Sequence, residues 1–370
     1  MPRGPQRKTG VVLMNDGIES PSHERTVHQG LAERIATLLG ASTIDRGDLL
    51  HIPQDQLYYL PTQTLIDSQR AHMLGITSPE DFFGGVVDKP FMATKAISHP
   101  LPDAAVSAEG WNRQFATIAG DALLGGFTVF NLADARRAGM HMLRQAELRL
   151  KPVRATAGRG QVVIRDDNEL DLVLSGLDEE EITVWGLVLE ENLSDVETYS
   201  VGQVLLAGIT TSYFGTQQLT RDHDGIQVYG GSQLVVVRGD YSTLLKLDMD
   251  SATRLAVEQA QRYEHAAIRS LAGFMASRRN YDIARGRDHA GNMRSGVMEQ
   301  SWRVGGASSA EILAVEAFVR DPALNQVLAS THEVFGQCTL PSDATLFYQG
   351  QDEQLGQITK YARLRTYEHS

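Results

Sequence analysis

Two short stretches of the chain carry residue types that could bind a phosphate and a divalent cation. In the first, Lys151-Pro152-Val153-Arg154-Ala155-Thr156-Ala157-Gly158-Arg159-Gly160, a strand ends in a lysine and gives way to a loop of small residues. Glycines let backbone N–H groups approach phosphate oxygens, and the lysine adds a point charge. A plain hairpin with a flexible turn would read the same way. In the second, Asn280-Tyr281-Asp282 precedes a turn and then Glu299-Gln300-Ser301-Trp302-Arg303. Side chains alternate along a strand, so Glu299, Ser301 and Arg303 share one face. If Asp282 faces the same way from a neighbouring strand, two carboxylates and a hydroxyl converge beside a guanidinium. Oxygen ligands of this kind suit Mg²⁺, although a solvated Glu–Arg pair would show the same residues. A third stretch, Leu187-Val188-Leu189-Glu190-Glu191-Asn192-Leu193, is a strand emerging into acidic residues, and its backbone could meet a purine edge.

Taken in order, the three stretches resemble the ATP-grasp superfamily. Lys151 and the Ala157–Gly160 loop look like its phosphate-binding lysine and glycine-rich loop, and Glu190 to Leu193 like its adenine-contacting hinge. Asp282 with Glu299-x-Ser301-x-Arg303 looks like its metal strands, with serine where the superfamily usually has asparagine. Asp288, in the turn, is an alternative first acid. Upstream, both Lys89 and Lys95 resemble the earlier nucleotide-contacting lysine, with Lys95 preferred, and Leu123–Phe130 resembles the linker into the small ATP lobe. Lys151–Thr156 and Glu299–Ser308 look, more narrowly, like an uncharacterised bacterial family of ATP-grasp-like proteins.

The resemblance implies an α/β (α+β) chain of ATP-grasp architecture, in which an amino-terminal open α/β lobe precedes two α+β lobes that clamp the nucleotide. The corresponding division is 1–84, then 85–200 for the linker and small ATP-binding lobe, then 201–370 for the large lobe with the metal strands and tail. The implied activity is an ATP- and Mg-dependent ligase that activates a carboxylate as an acyl phosphate for attack by an amine. A phosphotransferase on the same scaffold and a nucleotide-binding regulator without turnover are the alternatives. In the ligase, Lys95, Lys151, Gly158, Arg159, Gly160, Glu190, Glu191 and Leu193 would contact ATP, and Asp282, Glu299 and Ser301 would hold Mg²⁺. Arg303 and Lys151 would serve the phosphoryl transfer. The implied partners are a small anionic carboxylate and a nucleophile, and a homodimer is admitted.

The elements that must position these residues are partly legible. Val11–Met14 suits a buried strand, and Val27, Leu31, Ile35, Leu38 and Leu39 fall at helical spacing before Gly40. Leu57–Leu60 reads as a strand and Leu65–Leu74 as a helix, with 76–125 a connecting region. Asn131 can cap a helix through Leu143. Strands are expected at Leu148–Val153, Gln161–Ile164, Ile182–Leu189, Tyr199–Ile209, Ser212–Thr220, Gln227–Arg238, Asn280–Ala284 and Met293–Ser301, with Tyr229–Ser232 more turn than strand. Ser251–Ala272 lacks Gly and Pro and suits one long helix. Ser308-x-x-Glu311 predicts a capping box, and the tail from Gln337 carries no clear pattern.

Composition narrows the function classes. The 370 residues are 42% hydrophobic and 22% charged, ordinary for a globular chain of two or three lobes. The net charge of -12 argues against general binding to nucleic acid or anionic membranes. Against that background six arginines between 278 and 303 predict a local positive field, and hence an anionic substrate. The single cysteine, Cys338, excludes an intrachain disulfide and any Cys-pair zinc site, and it is expected as a buried small hydrophobe. The apolar segment after the basic start is too short for a signal-peptide core, so a cytoplasmic location is expected. Gly-Lys of a Walker loop, His-Glu-x-x-His, Gly-x-Ser-x-Gly and the third glycine of a dinucleotide fingerprint are all missing.

Overall fold

The computed structural model describes residues 7–15, 20–45, 49, 51–154 and 160–366. The chain opens with β1 (Gly10–Met14), α1 (Ser22–Leu39), β2 (Ser42–Thr43) and β3 (Leu57–Pro61), and the three strands form a parallel sheet in the order β2-β1-β3. Helix α1 ends where Gly40 turns left-handed at φ 63° and closes its backbone on Ala36 and Thr37. Next come β4 (Leu65–Ile66), α2 (Ser68–Met73), β5 (Gly85–Val87) and α3 (Gln114–Ala119). The helix expected over 65–74 is thus a two-residue strand followed by a shorter helix. Asp67, at φ 81°, makes the corner and caps α2 through Gln69 and Arg70 N–H groups.

A four-stranded antiparallel sheet, in the order β6-β9-β7-β8, is built from β6 (Gly126–Val129), α4 (Leu132–Leu143), β7 (Leu148–Pro152), β8 (Val162–Ile164), α5 (Asp167–Ser175), α6 (Glu179–Trp185) and β9 (Leu187–Glu191). Asn131 accepts from Asp134 N–H at 2.7 Å, the cap expected for α4. The segment Ile182–Trp185, expected as strand, belongs to α6. Three acidic residues in that helix's first turn suit its positive end, and Asp178 caps it.

The remainder is dominated by an eight-stranded antiparallel sheet. Its elements are β10 (Ser194–Leu206), β11 (Ile209–Arg221), β12 (Gln227–Arg238), α7 (Tyr241–Leu244), α8 (Ser251–Ser270), β13 (Met275–Ala276), β14 (Arg278–Arg287), β15 (Met293–Ser301), α9 (Ser308–Arg320), β16 (Gln326–Phe335), β17 (Ala344–Asp352) and β18 (Gly356–Thr366). The order is β15-β14-β10-β11-β12-β16-β18-β17, while β13 instead joins β5 and β4 in a small separate sheet. The patternless tail is therefore two full strands. Tyr229–Ser232 is strand as well; Gly230 is an extra residue bulged opposite Gln218 and Leu219 of the neighbouring β11.

Helix α8 covers one face of the large sheet, where Ala256, Val257, Ala260 and Tyr263 meet Val201, Tyr281, Ile283 and Val297. Helix α9 covers the opposite face, with Ala310, Ala314 and Phe318 against Tyr213, Leu234 and Val327. Because side chains alternate, Tyr281 and Ile283 point to α8 while Asn280 and Asp282 point the other way. The capping box at Ser308 does not form. Ser308 accepts from Gly305 N–H at 3.0 Å, and Glu311 is drawn into the protein by Arg278. Cys338 lies partly exposed in the loop before β17, which corrects the buried placement, since no core layer reaches that loop. Among the described residues no helix is long and apolar enough to cross a membrane.

Candidate active site

Strands β14 and β15 carry the acidic end of the site. Asp282 and Glu299 are direct cross-strand partners, as are Asn280 and Ser301, so all four share one face. Met298 of β15 bulges opposite Asp282 and Ile283, so that Val297 and Gln300 both return to the α8 side. Asp282 Oδ1 accepts from Gln217 Nε2 at 2.7 Å and Asn280 Nδ2 at 2.8 Å. Burial and then the charge of Glu299 raise its carboxyl to about 6, against those two hydrogen bonds. Glu299 itself is paired with Lys95, 2.8 Å away and 3% exposed.

Below these carboxylates lies a buried brace. Arg278 forks onto Glu311, with Nε at 3.0 Å and 3.1 Å from its two oxygens and Nη2 at 2.8 Å. Its Nη1 donates to Ser301 O, Ser301 Oγ and Arg303 O at 3.0, 3.1 and 2.7 Å. Tyr213 adds a hydroxyl bond to Glu311 at 2.6 Å. One guanidinium thus fixes the backbone on both sides of Trp302 and sets where Arg303 leaves the strand. The Ser301 hydroxyl is engaged by that guanidinium, which opposes a cation on the same oxygen. Asp282 and Glu299 are the pair that fit Mg²⁺, and two carboxylates match its usual demand. Asp288 instead folds over its own turn, accepting from Ala290 and Asn292 N–H groups. Among the described residues no group of three or more His, Cys, Asp or Glu side chains gathers as a metal cluster.

The four-stranded sheet supplies the second half. Lys151 on β7 and Glu190 on β9 form a buried ion pair, and His99 Nε2 lies 3.1 Å from the other Glu190 oxygen. Burial alone would raise Glu190, but Lys151 and His99 outweigh it and bring the carboxyl down to about 2. The next residue ties the sheets together. Glu191 accepts from Gly125 N–H at 2.7 Å and pairs with Arg294 of β15 at 2.9 Å. Leu193 joins Leu124 and Ala284 in a small buried apolar cluster, with the partly buried Met298, next to Glu299 in sequence, packed against it.

A single segment connects the halves. Lys95 reaches Glu299, and His99, four residues on, reaches Glu190, so their Cα atoms are at most about 14 Å apart. Between them Ser98 bonds Tyr263, which bonds Gln300. Lys95, Lys151, Glu190, Glu191, Leu193, Asp282, Glu299, Ser301 and Arg303 therefore lie around one region. Lys89 does not; it pairs with Glu109 on the surface at 2.9 Å. Gly160 turns left-handed at φ 71°, whereas Gly158 and Arg159 lie outside the described residues.

The expected positive field is mostly neutralised. Arg278, Arg279, Arg285 and Arg294 have carboxylate partners in Glu311, Glu264, Glu197 and Glu191. Two have no carboxylate partner among the described residues: Arg287 donates to Gly291 O of its own turn at 3.0 Å, and Arg303, beside the carboxylate pair, donates from Nη1 to Val304 O at 2.9 Å. Burial lowers the Arg303 guanidinium below the usual arginine range, and Arg278 adds to that while Glu299 opposes it. Sequence reasoning missed His99, Arg278, Glu311 and Met298. No motif marks them for the site; His99, Arg278 and Glu311 are recruited by partners 23 to 98 positions away, and Met298 by the register of β15.

No curated protein matches the chain. Among solved structures, phosphoribosylamine–glycine ligase from Thermotoga maritima is similar at 13% identity and a TM-score of 0.53, over 98% of this chain and 93% of that one. That likeness is one of fold: a mixed α/β chain with a structural neighbour of ATP-grasp fold. A family model described as protein of unknown function (DUF3182) matches residues 11–362, and the chain belongs to that family.

Proposed function

We propose that this protein is an ATP- and Mg-dependent ligase that activates a carboxylate as an acyl phosphate for attack by an amine or similar nucleophile. The observation that carries the reading is the Asp282–Glu299 pair, joined through Lys95–His99 to the buried Lys151–Glu190 pair. A carboxylate oxygen would take the γ-phosphoryl group and release ADP. The nucleophile would then attack the acyl carbon, the bond to phosphate would break, and the nucleophile's proton would pass to solvent. Bound Mg²⁺, held by Asp282 and Glu299, would offset charge on the transferring group. Lys151 and Lys95 would face the phosphates, and the Leu193–Met298 cluster would border the purine. Arg303 would meet the reacting carboxylate.

Glu299→Gln keeps size and removes one charge. Turnover across a panel of acids and amines should fall by about a hundredfold or more, while nucleotide affinity falls far less. Wild-type turnover in that variant would reject the metal assignment. The Ser301 hydroxyl, engaged by Arg278, favours a second reading, a nucleotide-binding regulator. ATP binding without ADP formation across the whole panel would select it.

A further inference from the structure

Helix α1 brings an imidazole to the rim of the same site. Leu31, Ala32 and Ile35 of that helix pack with Val304, Ile312, Phe347 and Ala362 in one apolar cluster. His28 stands three and four positions before Leu31 and Ala32, on the same face. Arg303 immediately precedes Val304, and Lys360 shares a face of β18 with Ala362. The elements that carry His28, Arg303 and Lys360 thus meet at one junction, and both cations act on the His28 ring. Lys360 is already paired with Glu333 at 3.0 Å, and His23, the other imidazole of α1, with Asp352 at 2.9 Å. His28 Nδ1 is buried with no hydrogen-bond partner, and Arg303 lacks a carboxylate partner, among the described residues.

We propose that Arg303 and His28 form an oxyanion subsite for the acid substrate, complete only with α1 docked on the large sheet. The proposal rests on the ligase reading for its ligand, a small carboxylic acid or the phosphate of its acyl phosphate. Burial holds His28 down to about 4, aided by Arg303, Lys360 and His23 and opposed by Glu24. The imidazole is therefore neutral at pH 7. An oxyanion on Arg303 offsets the two cations and favours a proton on the ring, so occupancy and protonation of His28 are coupled.

The test is a histidine-resolved NMR titration of the full chain, with His28→Gln identifying the resonance. Acetate and inorganic phosphate serve as probes for the two sources of oxyanion. Either should raise the His28 midpoint by roughly 1–3 pH units. Arg303→Gln should raise it without any probe, by removing a cation, and should abolish the response; Arg303→Lys should restore part of both. A midpoint unmoved by both anions, or by Arg303→Gln in a sample of native circular dichroism, overturns the subsite. Mg-ATP binding measured on the same samples separates the two readings. Nucleotide binding without an anion response rejects the subsite alone, and an anion response without nucleotide binding rejects the ligase alone.

Discussion

Asp282→Asn should make the ligand-free protein more stable, by an amount that depends on pH. In the folded chain the Asp282 carboxyl is raised from the ordinary 3.8 to about 6, by burial and by Glu299 across the strand pair. A folded value above the unfolded one means that the group's favourable contribution is present below about pH 4. It is lost as pH rises through 6. Roughly two pH units at about 1.4 kcal/mol each set the destabilisation above pH 7 at about 3 kcal/mol. Asparagine carries no charge, yet its carbonyl can still accept from Gln217 and Asn280. The variant should therefore exceed wild type by up to about 3 kcal/mol at pH 8 in EDTA, with the gap closing toward pH 4. Urea unfolding followed by tryptophan fluorescence suits the measurement, because Trp302 is 1% exposed and lies next to Ser301. Mg-ATP at a hundred times its dissociation constant should then return about 2.7 kcal/mol to wild type and less to the variant. A stability difference that stays constant from pH 4 to pH 8, or a variant weaker at pH 8, would refute the reasoning.

Two further outcomes are expected. Glu311→Gln strands the buried Arg278 guanidinium and should cost about 3–5 kcal/mol in unfolding free energy, whereas Arg278→Met with Glu311→Leu should cost far less, read from thermal melts. Asp352→Asn should cost about 1–2 kcal/mol at pH 7, because Asp352 accepts from Ser22, His23, Gln354 and Leu355. Asp352 is held well below the usual range despite burial, so its contribution is present above pH 4 and fades as pH falls. The variant's deficit should shrink in acid, and a pH-independent deficit would count against it.

What the sequence made legible was local. The i, i+4 spacing of Leu31 and Ile35, the Asn131 cap and the Gly-free run of α8 each fix structure within a few turns of themselves, and each element is present. The cross-strand meeting of Asp282 and Glu299 could be anticipated, because a hairpin joins them and alternation sets their face. Other features were closed to that reasoning. Nothing near Lys95 says that it will meet Glu299, 204 positions on, and the Ser308–Glu311 pattern was misread because a buried arginine outbids a helix cap for the same carboxylate. The tail looked patternless because β17 and β18 close the end of the sheet, where partly exposed strands lack strict alternation.

The clasp between Asp352 and the start of α1 joins residues 330 positions apart. On a ribosome adding about 5–20 residues per second, Ser22 and His23 would wait roughly 17–66 seconds for that carboxylate to be made. Until then the first turn of α1 has no side-chain cap of its own, since Pro21 at the cap position offers none. The helix that delivers His28 would be synthesised long before the strand that secures it. Released nascent chains truncated before residue 352 should accordingly show α1 exchanging its amide hydrogens freely while the four-stranded sheet is already protected.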